Sequence, residues 1–234
     1  MVNFKKLRQM IEVKGNGNIT SREVSVSTFI RLHLGTNSKV ELHQGATEKV
    51  IVETDENLHE YVAVANAGRT LYIATEAKLR KPVFTVCVIR VFLRQLDTLY
   101  VRNVNGDVIC PAEILLTQPL QITIQSVGNT SLHFTAPAVK LLNQGSGNVL
   151  LKGSGEKLDI KNQANGNFDA SQFIAGELTI KNMANGDVLL HATKSIVIKH
   201  YANGYVHFSG DAVVKDVKQY GNGEIKHVKG EALV

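Results

Sequence analysis

Apolar and polar residues alternate along most of this chain, and from residue 106 onward the alternation itself repeats. The segments VNGDVIC, VGNTSL, GSGNVLL, ANGNFDA, ANGDVLL, ANGYVHF and GNGEIKH align on Gly106, Gly128, Gly147, Gly166, Gly186, Gly204 and Gly223, at steps of 22, 19, 19, 20, 18 and 19 residues. Two positions after each glycine stand Val108, Thr130, Val149, Phe168, Val188, Val206 and Ile225; four after it stand Cys110, Leu132, Leu151, Ala170, Leu190, Phe208 and His227. Six before it come Tyr100, Ile122, Leu141, Ile160, Ile180, Ile198 and Val217. Eight before it run Leu120, Val139, Leu158, Leu178 and Ile196, with Thr98 and Lys215 at the two ends of the row. A period of two belongs to strands, so each unit predicts strand, glycine turn, strand, turn.

A unit of this size cannot cover its own apolar side chains, and stacking units on one another solves that. The repeat therefore predicts an all-β fold, a single-stranded β-helix or β-solenoid with about seven regular coils in the C-terminal half. Like residues then lie about 4.8 Å apart along a rod segment on the order of 30 Å long. Asn165, Asn185, Asn203 and Asn222 precede the aligned glycines; both residue types accept the positive φ of a tight turn, which is the expected reason for the pair. The same dipeptide also favours two-residue hairpins, which would give an antiparallel meander. The persistence of each row's identity from unit to unit favours coils. Thr98, Lys215 and His227 interrupt the rows where capping repeats are expected.

Upstream the pattern is looser. Runs at 29–34, 39–43, 50–53, 61–64 and 71–73 alternate between Gly, Asn or Asp punctuation and predict strands. The stretch 83–93 is almost wholly apolar, consistent with one buried strand, although pattern alone leaves a helix open. The expected organisation is an N-terminal extension at 1–14, an irregular β segment at 15–101 continuous with the solenoid, and regular repeats at 102–234.

Composition narrows the class. The 234 residues are 44% hydrophobic and 20% charged, with 19 Gly, 4 Pro and no Trp, which suits a folded chain with an aliphatic core and many turns. A formal charge of +5 permits contact with anionic polymers. Cys87 and Cys110 are too few for a disulfide framework and match no metal motif; Cys110 reads as core. Lys5, Lys6 and Arg8 are followed by no apolar run of signal-peptide length, which leaves either an intracellular chain or a leader outside this sequence. No stretch approaches the roughly 20 apolar residues of a membrane helix.

The segments GNGNI at 15–19, VSTFIRLHL, VELHQG, ATEKVIVETDENL and GRTLYI, followed by the NGD and NGN turns, resemble the bacterial autotransporter adhesin, head GIN domain family, over nearly the whole chain from Gly15. The resemblance implies a right-handed β-helix, an envelope or extracellular setting in Bacteroidetes-like bacteria, and an adhesive or structural role. The missing leader is a departure from it.

Motif chemistry is sparse. The chain has no P-loop, dinucleotide fingerprint, HExxH or nucleophile elbow, and no cofactor is expected. After the turn glycine come Asp107, Asn129, Asn148, Asn167, Asp187, Tyr205 and Glu224. Asp187 and Glu224 would stand two coils and about 10 Å apart, just outside the roughly 5 to 9.5 Å of a glycosidase pair; turn residues are the simpler reading. His200 and His207 share a coil and His133 and His191 a row, yet neither pair has a third metal ligand in place, which leaves surface or capping roles. One row stands out: Lys161, Lys181, Lys199 and Lys218, five before the glycine on successive coils. A like-charge ladder is mildly destabilising; it serves either as a solvated, edge-protecting face or, with Tyr201 and Tyr220, as an anion-binding stripe for a glycan or other anionic surface polymer. Aromatic interleaving is too thin for a single-stranded nucleic-acid platform, while open solenoid ends permit a homo-oligomer. The expected function is a non-enzymatic cell-envelope or surface scaffold, an adhesin-like module acting through its lateral face. The alternative is a carbohydrate-active β-helix enzyme acting on acidic polysaccharide.

Overall fold

The structure, a computed structural model, describes residues 11–76 and 80–228. Residues 1–10, most of the expected N-terminal extension, lie outside the described residues. Among the described residues the protein is nearly all β, with 63% strand and 3% helix. The N-terminal half comprises β1 (Ile11–Lys14), β2 (Ile19–Ser25), β3 (Arg31–Gly35), β4 (Lys39–Gln44), β5 (Lys49–Asp55), a short 3-10 helix (Glu56–Tyr61), β6 (Val62–Ala67), β7 (Thr70–Thr75), β8 (Arg80–Val83) and β9 (Cys87–Leu93). Then follow β10 (Thr98–Arg102), β11 (Val108–Ile109), β12 (Ile114–Leu115), β13 (Leu120–Gln125), β14 (Thr130–Thr135) and β15 (Ala138–Asn143). The last six are β16 (Val149–Asn162), β17 (Phe168–Asn182), β18 (Val188–His200), β19 (Val206–Ser209), β20 (Val213–Gln219) and β21 (Ile225–His227). No helix among the described residues is long and apolar enough to cross a membrane.

Two parallel ladders run along the molecule. Strands ahead of the glycine turns pair from β10 through β13 and β15 to the later halves of β16, β17 and β18, and on to β20. Strands behind the turns pair from β11 through β14 and the early halves of β16, β17 and β18 to β19 and β21. Hairpins would pair antiparallel, so the meander is ruled out. The seven aligned glycines mark off the roughly six turns of a β-solenoid. The second turn expected in each unit is missing from three coils. There β16, β17 and β18 continue for 14, 15 and 13 residues around a corner, with register shifts near Lys152 and Ala175.

The irregular half extends both ladders, since β3 pairs with β10 and β4 with β11. Stack order departs from chain order there: β7 lies on the other edge of β3 and β9 on the other edge of β4, both parallel. Antiparallel strands then close this end, with β6 on β7, β5 on β9 and β2 on β5; covering an open edge removes a template for further pairing. Residues 83–93 are not one strand. Val83 ends β8, which pairs with β1 in a separate two-stranded sheet, and β9 begins at Cys87. The buried Asp55 carboxylate causes the break by accepting the Thr85 N–H at 2.8 Å and the Gly17 N–H at 2.9 Å, tying the GNGNI loop to this point. Burial pushes the Asp55 carboxyl up, but these backbone donors outweigh it and hold the group below its usual range.

Inward rows build one continuous core. The row two after the glycine stacks in register from Val108 to Ile225 and continues through Val40 to Ile89. Each fully buried aliphatic side chain contributes about 1.5 to 3 kcal/mol. Three row assignments change, the first being Thr98, which pairs with Gln121 and not with Leu120. Leu99, not Tyr100, pairs with Ile122, because the turn after β10 holds one extra residue, absorbed at Asn103 with φ 53. Val214, not Lys215, pairs with Ile196, and Lys215 is the additional residue of a bulge.

The reason for the turn glycines also changes. Positive φ occurs at Gly17, Gly68, Gly153 and Gly210, and at none of the seven aligned glycines or the asparagines before four of them. Instead the coils approach so closely that a Cβ on Gly128 would fall on the carbonyl oxygen of Gly106, and one on Gly147 on that of Gly128; Gly166, Gly186, Gly204 and Gly223 repeat the contact, and Gly106 meets Ser38 the same way. Glycine stacks on glycine because nothing larger fits.

Candidate binding face

Alternation along the first ladder decides what faces solvent. In the later half of β16, Ile160 and Asn162 are buried while Lys161 between them is exposed. Strict register carries this pattern along the stack: Lys161 pairs with Lys181, Lys181 with Lys199 and Lys199 with Lys218. Among the described residues Lys161, Lys181 and Lys199 have no carboxylate at ion-pair distance, and Lys218 Nζ lies 3.8 Å from Asp216 Oδ2. Lys181 Nζ sits 5.2 Å from the centroid of the Tyr201 ring, which stacks on Tyr220 at 4.6 Å with 7° between planes. Both tyrosines are exposed, at 40% and 63%. The column is therefore cationic, with an aromatic pair beside its C-terminal half, and each lysine is held by the backbone of a different coil.

The same column extends further than the repeat alone discloses. Beyond Lys161 it passes Leu142 and Thr123 to Tyr100, His33 and Tyr72. The three rings touch, with His33 and Tyr72 centroids 4.9 Å apart and His33 and Tyr100 centroids 5.2 Å apart. These positions lie in the irregular half, where no fixed glycine interval marks their alignment.

Directly behind the lysines runs a buried amide ladder. Asn143 Nδ2 donates to Asn162 Oδ1 at 3.0 Å, and Asn162 Nδ2 to Asn182 Oδ1 at 2.9 Å. The chain of amides ends at His200, whose Nδ1 lies 3.1 Å from Asn182 Nδ2 and whose Nε2 lies 2.8 Å from the Gly204 carbonyl. Nδ1 must accept and Nε2 must donate, so the ring is neutral in this tautomer. His200 is thus a fully buried structural residue and not a surface histidine. Burial lowers its pKa, partly offset by the Gly204 carbonyl.

The folded state therefore binds fewer protons at His200 than the unfolded chain does as pH falls below about 6.5. Stability is complete above that value and declines toward the depressed folded pKa. His200→Asn, which continues the amide row, is expected to flatten this decline; urea unfolding midpoints at pH 7.5 and 5.5 should differ less in the variant than in the parent chain.

The carboxylates of the turn row are engaged in joining coils. Asp107 Oδ1 accepts the Asn129 N–H and Asp187 Oδ1 the Tyr205 N–H, each at 3.1 Å. Asn129, Asn148 and Asn167 make the same bond to the next coil. Glu224 Oε2 lies 3.9 Å from His207 Nε2. Among the described residues no three His, Cys, Asp or Glu side chains converge as metal ligands. His133 faces Glu113 at 4.0 Å, and His191 shares a hydrogen bond with Ser209 at 2.9 Å. Both cysteines are free; burial pushes the Cys110 thiol up to about 12, as a core position requires, while Cys87 accepts the Ser38 hydroxyl at 2.9 Å.

Stacked parallel coils, an antiparallel cap over one end and a lateral face patterned in columns define a β-solenoid scaffold. The chain belongs to the family described as putative auto-transporter adhesin, head GIN domain, whose profile matches residues 28–212, beginning downstream of the GNGNI segment. Solved structures share the fold. A putative adhesin from Bacteroides fragilis NCTC 9343 superposes with a TM-score of 0.82 at 21% identity, covering 92% of this chain and 100% of that one. A putative adhesin from Parabacteroides distasonis ATCC 8503 gives 0.65 at 23%, covering 93% and 100%. A structure described as a putative lipid binding protein from the same strain gives 0.60 at 20%, covering 93% and 99%. No curated protein matches the chain.

Proposed function

We propose that this chain is a non-enzymatic scaffold of the cell envelope or surface, an adhesin-like module that binds an acidic glycan through its lateral face. The observation that carries the reading is the register of Lys161, Lys181, Lys199 and Lys218 on four adjacent coils. Like charges side by side in a sheet oppose folding, and three of these four lack a carboxylate partner among the described residues. A polymer whose anionic groups recur at about one sugar ring per strand spacing would neutralise them in turn. Tyr201 and Tyr220 supply stacking surface beside the cations. Family membership supports the adhesive role and the surface setting. The use of Asp107 and Asp187 as coil-to-coil acceptors supports the non-enzymatic reading over a polysaccharide-cleaving one.

The test is binding of the purified chain to immobilised polygalacturonate, with neutral dextran as control, across a salt series. The triple variant Lys161→Gln, Lys181→Gln, Lys199→Gln is expected to weaken binding by about ten- to a hundredfold, at up to about 1 kcal/mol per exposed charge pair, and to flatten its salt dependence. Unchanged affinity and salt response in a folded triple variant would remove the lysine column from the binding role.

A further inference from the structure

The aromatic end of the column borders a cavity of about 280 Å³, lined by His33, Gly35, Tyr72, Ala74, Tyr100 and Arg102 among others. Its origin is legible in the register. Tyr72, His33 and Tyr100 form one outward column, and the next outward column along the strands holds Ala74, Gly35 and Arg102. Two successive coils thus present almost no side chain beside three rings, and the space between becomes a hollow floored by β3 and β7 with Arg102 at one end.

One feature, at Gly35, shows that the fold did not require this hollow. Gly35 has no positive φ, and a Cβ there would meet only the carbonyl oxygens of Arg102 at 3.7 Å and Ile73 at 4.0 Å, which is ordinary contact. It differs in this from the seven turn glycines, where a Cβ has no room. Asn103, also on the lining, is the one non-glycine residue with positive φ among the described residues. Asparagine adopts this conformation readily, and here it takes up the extra residue of the turn after β10. Arg102 makes no ion pair or side-chain hydrogen bond among the described residues, so its planar fork is available to an anion. Burial and the Arg31 charge lower the His33 pKa, which keeps the middle ring neutral within the aromatic wall.

We propose that this hollow binds a single acidic pyranose ring, with the apolar face of the sugar against Tyr72 and Tyr100 and its carboxylate on Arg102. Small-ligand sites combine an apolar or aromatic wall with a few placed polar groups, and Arg matches a carboxylate bidentately. The site is separate from the lysine column: His33 and Lys161 stand four strand spacings apart, about 19 Å. It holds whether or not the lysines bind a polymer.

The experiment is a titration of the isotope-labelled full chain with glucuronate, galacturonate and N-acetylneuraminate, and with methyl glucoside as the neutral control, read by amide chemical shifts. At least one acidic sugar is expected to move the Gly35 and Asn103 amides saturably, and more tightly than methyl glucoside. Arg102→Gln should reduce that preference about tenfold. Gly35→Val, which fills the hollow, and Tyr72→Ser, at an exposed ring, should each abolish the response while the melting curve is kept. The triple lysine variant should respond like the parent chain, which separates failure here from failure of the lysine reading. If no acidic sugar moves these amides, if shifts confine themselves to 161, 181 and 199, or if folded Gly35→Val binds undiminished, the assignment is overturned.

Discussion

Gly166→Ala is expected to destabilise the protein by about 3 kcal/mol or more, because one added methyl group has to displace backbone and not a side chain. The Cβ would land on the carbonyl oxygen of Gly147 in the neighbouring coil, and Gly186 on the other side depends on the same close approach. For a chain of this length that loss lowers the melting temperature by roughly 6 to 12 °C. The comparison that isolates the cause is Gly17→Asn. Gly17 has φ 76 and open space around its Cβ position, and asparagine tolerates that conformation. If positive φ were what the solenoid turns need, asparagine would serve at position 166 as well. Stacking forbids it, so Gly166→Asn should be at least as damaging as Gly166→Ala, while Gly17→Asn stays within about 1 kcal/mol. Differential scanning calorimetry of the three variants decides the matter; a near-neutral Gly166→Asn would show that the coils separate without cost.

Asn162→Leu is the second large effect. The side chain sits in the middle of the buried amide ladder, accepting from Asn143 and donating to Asn182. Leucine satisfies neither neighbour, so the Asn143 amide donor and the Asn182 carbonyl are left in an apolar interior. Each buried polar group without a partner costs about 1 to 3 kcal/mol, and a combined loss of about 2 to 4 kcal/mol is expected. Asn182 Oδ1 has a second donor in the Ala184 N–H at 3.4 Å, which sets the lower end of that range. The midpoint of urea unfolding measures it. Lys161, one residue earlier and facing outward, supplies the contrast: Lys161→Leu removes a charge from a like-charge column and should leave stability within about 0.5 kcal/mol. A loss at Lys161 equal to that at Asn162 would contradict the inward and outward assignment on which the binding face rests.

The two variants also separate what holds the solenoid from what it displays. Glycine stacking, the amide ladder and the turn side chains that accept the next coil's N–H all join one coil to the next, and all are inward or in the turns. The lysine column adds like charges rather than such a joint, and Tyr201 and Tyr220 stack across coils only at the exposed surface. The backbone ladders carry the lysines at a fixed spacing.

The residue pattern by itself determined the class and the long axis. A repeat of about nineteen residues with aligned apolar rows has few ways to bury those rows, and stacking in register is the one that keeps each row's identity. That is why the pairing of Lys161, Lys181, Lys199 and Lys218 is readable from the repeat alone. Resemblance to the family was legible for a similar reason, through short strands and turns in a set order. The tertiary structure alone decided the rest. Local sequence does not show how close two backbones come, so the turn glycines read as conformational when they are steric. It does not show which of two adjacent polar residues turns inward, so His200 read as a surface or capping position until alternation was anchored to a core. The aromatic hollow at Tyr72, His33 and Tyr100 was hidden because the chain there stacks out of order, with β7 placed against β3. Those three residues meet across coils that no interval in the sequence relates.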